Sequence, residues 1–211
     1  MRVLKLGLLL GALLSSPAMA GTERDFALAA ALDDVTTVNK LLAKGVSANT
    51  IDPVSGESVM LLALREDAQR VIDVLAAAPD LQTDAPAPNG NTALMMAAFK
   101  RNRRAVEALL ARGAAVNRPG WAPLHYAASG GDPAITALLI KRGASLDARA
   151  LAGLTPLMMA AREGQEDAVD VLLRAGADAT LVNSEGLNAA QIAQKADKPR
   201  IARAIAPYLQ K

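Results

Sequence analysis

The stretch Gly153-Leu154-Thr155-Pro156-Leu157-Met158-Met159-Ala160-Ala161-Arg162-Glu163-Gly164-Gln165-Glu166-Asp167-Ala168-Val169-Asp170-Val171-Leu172-Leu173-Arg174-Ala175-Gly176-Ala177-Asp178 reads as one complete helical hairpin. Thr155 can cap a helix start through its side-chain oxygen. Pro156 then takes the first helical position, where a missing N–H costs nothing. Ala160-Ala161 is small enough to let two helices approach closely. Val169 and Leu172-Leu173 form an apolar stripe at helical spacing, and Gly176 suits the left-handed residue that ends such a helix.

Working outward, the same plan recurs. Leu61-Leu62-Ala63-Leu64, Met95-Met96-Ala97-Ala98, His125-Tyr126-Ala127-Ala128, Met158-Met159-Ala160-Ala161 and Gln191-Ile192-Ala193-Gln194 are copies of one tetrad. With Ala29 in a fainter first copy, the intervals are 34, 34, 30, 33 and 33 residues. Ser58, Thr92, Thr155 and Asn188 stand three residues before the tetrad as helix caps. Leu41-Leu42, Leu75-Ala76, Leu109-Leu110, Leu139-Ile140 and Leu172-Leu173 follow as the second-helix stripe. Gly45, Pro79, Gly113, Gly143 and Gly176 then mark the helix end. Asn49, Thr83, Asn117, Asp147 and Thr180 each offer an oxygen to the turn that leads outward. Repetition of a unit that cannot bury its own apolar face predicts an all-α solenoid of stacked helix-turn-helix units.

The repeats predicted are 22–50 (degenerate), 51–84, 85–118, 119–148, 149–181 and 182–211, the last a polar cap. The fourth is three residues short, between Asn117 and Trp121, so its hairpin finger is expected to be clipped and to open a local notch. A Gly between paired helices stands at Gly131 and Gly164. It is replaced by Asp33, Asp67, Arg101 and Asp197, which leaves the loop geometry open there.

Gly120-Trp121-Ala122-Pro123-Leu124-His125-Tyr126-Ala127-Ala128 and the opening stretch together resemble ankyrin repeats, including the family's Pro-Leu-His, and the similarity covers most of residues 25 to 211. A tetratricopeptide array shares the period, but one Trp, two Tyr and two Phe cannot supply its aromatic marks. The resemblance implies a protein-binding module whose contacts come from residues flanking the finger Gly and from the two after the Ala pair. In this chain those expected contacts are Arg65, Glu66, Asn91, Phe99, Lys100, Arg118, Trp121, Arg149, Leu154, Arg162 and Glu163, with Ser55, Glu57, Asn89, Ser129, Glu185 and Leu187 in equivalent slots. Phe99 and Trp121 stand out, because aromatic residues dominate binding energy. Trp121 alternatively fills a gap beside the short finger.

Arg2 and Lys5, the apolar run Leu6 to Leu14 and Ala18-Met19-Ala20 read as an export signal over residues 1–20. Its removal takes two of the 23 basic residues and leaves 21 of each sign, so the pI of 9.0 is no argument for nucleic acid or a membrane surface. No stable membrane insertion is expected after cleavage. Zero Cys excludes disulfides and thiolate chemistry, and export without disulfides or a glycosylation acceptor favours a bacterial periplasm.

No catalytic, cofactor or metal residues are expected. His125 is the single His, and the resemblance implies that it hydrogen-bonds the turn. Asp33-Asp34 and Glu163, Glu166 and Asp167 read as solvated surface, the Met pairs as core, and Lys100, Arg101, Arg103 and Arg104 as a solvated or anion-facing patch. The resulting expectation is a monomeric envelope module that binds another protein through a concave face of fingers and first helices. It resembles small exported bacterial ankyrin proteins associated with periplasmic catalase and oxidative-stress protection. The alternative is an immunity or inhibitor protein that neutralises a toxin or enzyme.

Overall fold

A computed structural model describes residues 17–210, with side chains from residue 21 onward. The expected export signal therefore lies mainly outside the described residues. Its last four residues open helix α1 (Pro17–Ala31), which runs on through the expected cleavage point. No described helix is long and apolar enough to cross a membrane.

The chain divides into two compact bodies, Met1–Asn91 and Thr92–Lys211. The first holds α1, α2 (Val35–Ala43), α3 (Val59–Arg65) and α4 (Gln69–Ala77). Repeat one is thus a full helix pair, with α1 packed on both α2 and α3 and with α2 against α4. The second body holds α5 (Ala93–Phe99), α6 (Arg103–Ala111), α7 (Pro123–Gly130), α8 (Pro133–Lys141), α9 (Pro156–Glu163), α10 (Glu166–Arg174), α11 (Ala189–Lys195) and α12 (Pro199–Ile205). Here α5, α7, α9 and α11 form one row, and α6, α8, α10 and α12 a second row behind it. The described regular structure is helical. Its one extended pairing is an isolated antiparallel bridge between Ile51 and Ser58.

Burial follows the repeated pattern. Leu75, Leu109, Leu139 and Leu172 are all wholly buried, as are Ala63, Ala97, Ala127, Ala160 and Ala193 of the tetrads. Ser58, Thr155 and Asn188 cap their helices by accepting from Leu61, Met158 and Gln191 N–H. Thr92 departs from the expectation: its hydroxyl is buried without a hydrogen-bond partner, while its backbone N–H donates to the Met95 sulfur at 3.4 Å and its carbonyl accepts from Met96 N–H.

The outward-turn oxygens also act differently from the expectation. Asn49 accepts from Gln82 N–H at 2.7 Å and donates to the Asp80 carbonyl at 2.6 Å. Asn117 does the same with Ser145 N–H and the Gly143 carbonyl, and Asp147 accepts from Asp178 N–H at 2.9 Å. These side chains tie repeat one to two, three to four and four to five, because within a body stacking lays the next turn alongside and its backbone groups need partners. Thr180 stays local, donating its hydroxyl to Asp178.

The loops lacking Gly keep the same backbone as those that have it. Asp33, Asp67, Arg101 and Asp197 all adopt φ of 55–57°, the left-handed region that costs ordinary residues energy. Asp33 and Arg101 gain contacts in return. Asp33 accepts from Val71 N–H and from the Arg70 guanidinium, and Arg101 donates to the Gly130 carbonyl. Burial works to raise the Asp33 pKa, but the hydrogen bonds and charge of Arg70 and Val71 N–H hold it below the ordinary carboxylate value.

Candidate binding face

The fingers are built from short hairpin turns. Ala150 N–H donates to the Leu154 carbonyl at 2.8 Å, and Asn183 N–H to Leu187 at 3.0 Å. Ala87 and Asn91 make the same closure in the first body. In repeat four the chain instead passes directly from Arg118 through Pro119 and Gly120, the latter at φ 73°, to Trp121.

His125 anchors this shortened region. It is fully buried at the start of α7. Its Nδ1 accepts the Ala122 N–H at 3.2 Å, which places the ring proton on Nε2 for donation to the Ala148 and Leu154 carbonyls at 3.0 and 3.2 Å. Burial pushes the imidazole below its ordinary pKa, with the three backbone contacts opposing. One neutral ring thereby satisfies three backbone groups and joins repeats four and five. This agrees with the turn-bonding role that the resemblance implied.

The same helix position elsewhere holds different acceptors for the same donor. Met95 and Met158 offer sulfur to Thr92 and Thr155 N–H, both at 3.4 Å, and Gln191 offers its amide oxygen to Asn188 N–H at 2.9 Å. Met95, Met158 and Met159 are buried, and Met96 is half-buried.

Trp121 is half-buried, edge-on to His125 at 5.5 Å and to Tyr126 at 6.1 Å between ring centres. It both packs and lines a cleft of about 130 Å³, whose other walls are Phe99, Tyr126, Ser129, Met159 and the edge of His125. Phe99 is 48% exposed, so the cleft is open to solvent. It needs the close approach of α5 and α7 that Gly130 permits. A Cβ on Gly130 would sit 2.7 Å from the Phe99 carbonyl oxygen and 3.0 Å from that of Ala98. Tyr126 and Met159 were not singled out in the sequence as contacts. Their common signal is the second tetrad position. Gly130 was also missed, hidden behind Gly131.

The other expected contacts are spread out. Arg65 pairs with Glu57 and with Glu66 at 3.1 Å, and half-buried Asn91 donates its N–H to Asn89 Oδ1, all within the first body. In the second body Arg149 donates to the Val182 carbonyl at 2.6 Å, and Arg162 pairs with Glu163 at 2.9 Å. Leu154 lines a separate and more polar groove of about 310 Å³ with Arg162, Glu185 and Lys195. Lys100 is half-buried beside Phe99, and Arg118 is half-buried on the clipped finger. Within the basic patch, Arg103 pairs with Glu107 at 2.8 Å. No group of three or more His, Cys, Asp or Glu gathers for a metal among the described residues.

Stacked helical hairpins carrying fingers in each body, with an aromatic cleft on the finger side of the second, define a helical repeat protein. The sequence matches the family model for ankyrin repeats (3 copies) over residues 26–119 and 116–183. The chain belongs to the ankyrin-repeat family. Residues past 183 still form a hairpin, α11 and α12. The chain is similar to human SH3 and multiple ankyrin repeat domains protein 2, with 32% identity over 176 residues, 81% of this chain and 10% of that protein. It is similar to neurogenic locus notch homolog protein 1 of Xenopus tropicalis, 38% identical over 104 residues, 47% of this chain and 4% of that one. It is also similar to mouse RelA-associated inhibitor, 42% identical over 85 residues, 38% of this chain and 10% of that one. The chain spans a tenth or less of the length of these curated relatives. Ankyrin repeats generally mediate protein–protein interaction.

Proposed function

We propose that this chain is a protein-binding module that takes one partner protein on its finger side, and that it works as a monomer in a bacterial envelope after removal of residues 1–20. The observation that carries the binding reading is the gathering of Phe99, Trp121 and Tyr126 at one solvent-open cleft, in a chain with five aromatic residues. Rigid aromatic surface left open to water is a favoured anchor for a partner. The export reading rests on the basic, apolar and small-residue order of residues 1–20. An accessory role to a periplasmic enzyme such as catalase, in protection against oxidants, is proposed from the resemblance to small exported bacterial ankyrin proteins alone.

A second reading, an inhibitor that occludes a toxin or enzyme, is favoured by the similarity to a relative that is itself named an inhibitor. Crosslinking the full chain in its native compartment, followed by mass spectrometry, tests both. The expected result is a chain beginning at Gly21 and one dominant crosslinked protein. An enzyme whose activity persists in the complex supports the accessory role, and one whose activity is blocked supports inhibition. A chain that keeps residues 1–20 overturns the export reading, and absence of any crosslinked protein overturns the binding reading.

A further inference from the structure

The chain has eight asparagines, and only Asn89 is followed by glycine. The finger glycine is itself a mark of the repeat. Gly56, Gly120, Gly153 and Gly186 stand in equivalent slots at positive φ, but after Ser55, Pro119, Ala152 and Glu185. Finger three therefore places a side-chain amide directly before a residue that has no Cβ to keep other atoms from its nitrogen. Asn89 and Gly90 are both exposed, so water reaches them.

The Asn89 side chain is folded back along its own backbone. Its Oδ1 accepts the Asn91 N–H at 3.0 Å, closing a ring that contains both the amide carbon of Asn89 and the nitrogen of Gly90. That N–H also meets the oxygen on which negative charge would develop if the carbon were attacked, and a donor placed there lowers the barrier. Gly90 N–H donates to the Ala87 carbonyl at 2.8 Å, a bond at an exposed turn, of the kind that opens readily. The other asparagines are held differently. Asn49 and Asn117 reach across to the next repeat, Asn102 and Asn188 cap helices, and Asn183 is buried with its Oδ1 accepting from Glu185 and Leu187 N–H. Asn39 lies inside α2, and Asn91 precedes the β-branched Thr92.

We propose that finger three is a self-modification site: the Gly90 nitrogen attacks the side-chain amide carbon of Asn89 to close a cyclic imide, and water reopens it to leave aspartate or isoaspartate at position 89. The bond formed joins Gly90 N to Asn89 Cγ, and the bond broken is Cγ–Nδ2. Ammonia departs with the proton that Gly90 N–H gives up. Water then adds to either imide carbonyl, its hydroxyl staying on that carbon and its proton returning to the nitrogen, and no atom changes oxidation state. Opening at Cγ gives aspartate on an unaltered backbone. Opening at the backbone carbonyl gives isoaspartate, which lengthens the main chain of the finger. Both products carry a carboxylate where the chain had a neutral amide, in a slot beside Asn91 on the finger side. The modification stands apart from the protein-binding reading, and only its effect on a partner would rest on that reading.

The test incubates the full folded chain at mildly alkaline pH, samples it over days, and reads tryptic peptides by mass spectrometry. Residues 71–100 form one such peptide and carry Asn89 and Asn91 together, so one reports against the other. Acid should replace amide at Asn89 about tenfold faster than at Asn91 or Asn183. The rate should rise with pH, because the attacking nitrogen must lose its proton, and the product should include isoaspartate, which direct hydrolysis of the amide cannot give. Gly90→Ala adds a Cβ that would meet no atom within 4 Å and should slow the exchange by about tenfold, with circular dichroism reporting whether the fold is kept at this positive φ. Asn89→Gln, whose longer side chain would have to close a larger ring, should keep its amide over the same period. Equal rates at Asn89 and Asn91, product free of isoaspartate, a rate indifferent to Gly90→Ala, or conversion confined to chain unfolded in urea would each overturn the assignment.

Discussion

Repeats four and five share one plan, and four of the slots at which they differ shape the face they present. Repeat four has Trp121 on a clipped finger, His125 at the third position of α7, a capping position occupied by Ala122, and Gly130 against α5. Repeat five has Leu154 on a closed finger, Met158 at the third position of α9, a true cap at Thr155, and Glu163 where Gly130 stands. The shared slots hold the stack together, and the differing ones decide what its surface presents. Losing the cap oxygen at Ala122 is offset by a side chain that reaches both backward to Ala122 and forward to Ala148 and Leu154. Losing three finger residues exposes the aromatic wall beside that side chain.

The largest effect should appear where the two repeats are alike. Leu139 and Leu172 are both wholly buried, so each Leu→Ala change should cost roughly 2–5 kcal/mol from lost burial and a residual cavity. Chemical denaturation measures it. A midpoint unmoved by either change would break the repeat register on which the equivalence rests.

Next in size is a slot where they differ. Gly130→Ala drives a Cβ into the backbone of Phe99 and Ala98. Backbone cannot swing aside as a flexible side chain can, so the change should cost about 1–3 kcal/mol. Glu163→Ala, at an exposed position, should stay within about 0.5 kcal/mol. Equal effects at the two sites would mean that α5 and α7 have room to separate.

His125 provides a difference that pH can isolate. Its folded pKa lies below the ordinary 6.5, so the folded chain binds fewer protons than the unfolded one as pH falls through 6.5. Stability present above that pH is then lost progressively down to the folded pKa. Asp33, Asp34 and Asp52 are lowered from 3.8. Their contribution is held above 3.8 and lost only below it, so the windows separate. His125→Gln should retain the bond from Ala122 N–H, as Gln191 does for Asn188. It should cost about 1 kcal/mol at pH 7.5 by serving fewer carbonyls. Between pH 7.5 and 5 the variant's denaturation midpoint should vary less than that of the parent, and parallel profiles would remove His125 as the source of the slope.

Much of this comparison could be read from the sequence, since the tetrads, stripes and terminal glycines are local marks with local causes. The helices and the buried stripe leucines stand where the spacing put them, and repeat one proved to be a full pair. What could not be read involves groups brought together by stacking. Asn49, Asn117 and Asp147 look like ordinary turn residues until the next repeat lies beside them. Phe99 and Trp121 could be picked out singly, but Tyr126 and Met159 join them only because α7 and α9 pack side by side. Gly130 shows its purpose only against the α5 backbone.

The smallest expected effect tests the inter-helix slot, where repeats four and five have Gly131 and Gly164 while Asp33, Asp67, Arg101 and Asp197 serve the others in the same left-handed region. At Asp197 a non-glycine residue carries the strain of the left-handed conformation on an exposed loop. Asp197→Gly should relieve that strain but increase the freedom of the unfolded chain, leaving a net gain of a few tenths up to about 1 kcal/mol. Arg101→Gly makes the same backbone exchange and also deletes the donor to the Gly130 carbonyl, so its gain should be smaller or reversed. The denaturation midpoints should therefore rank Asp197→Gly above the parent, and Arg101→Gly below Asp197→Gly. The reverse order would show that the Arg101 contact adds no measurable stability, and that the helix end at Gly130 does not depend on a donor from the preceding loop.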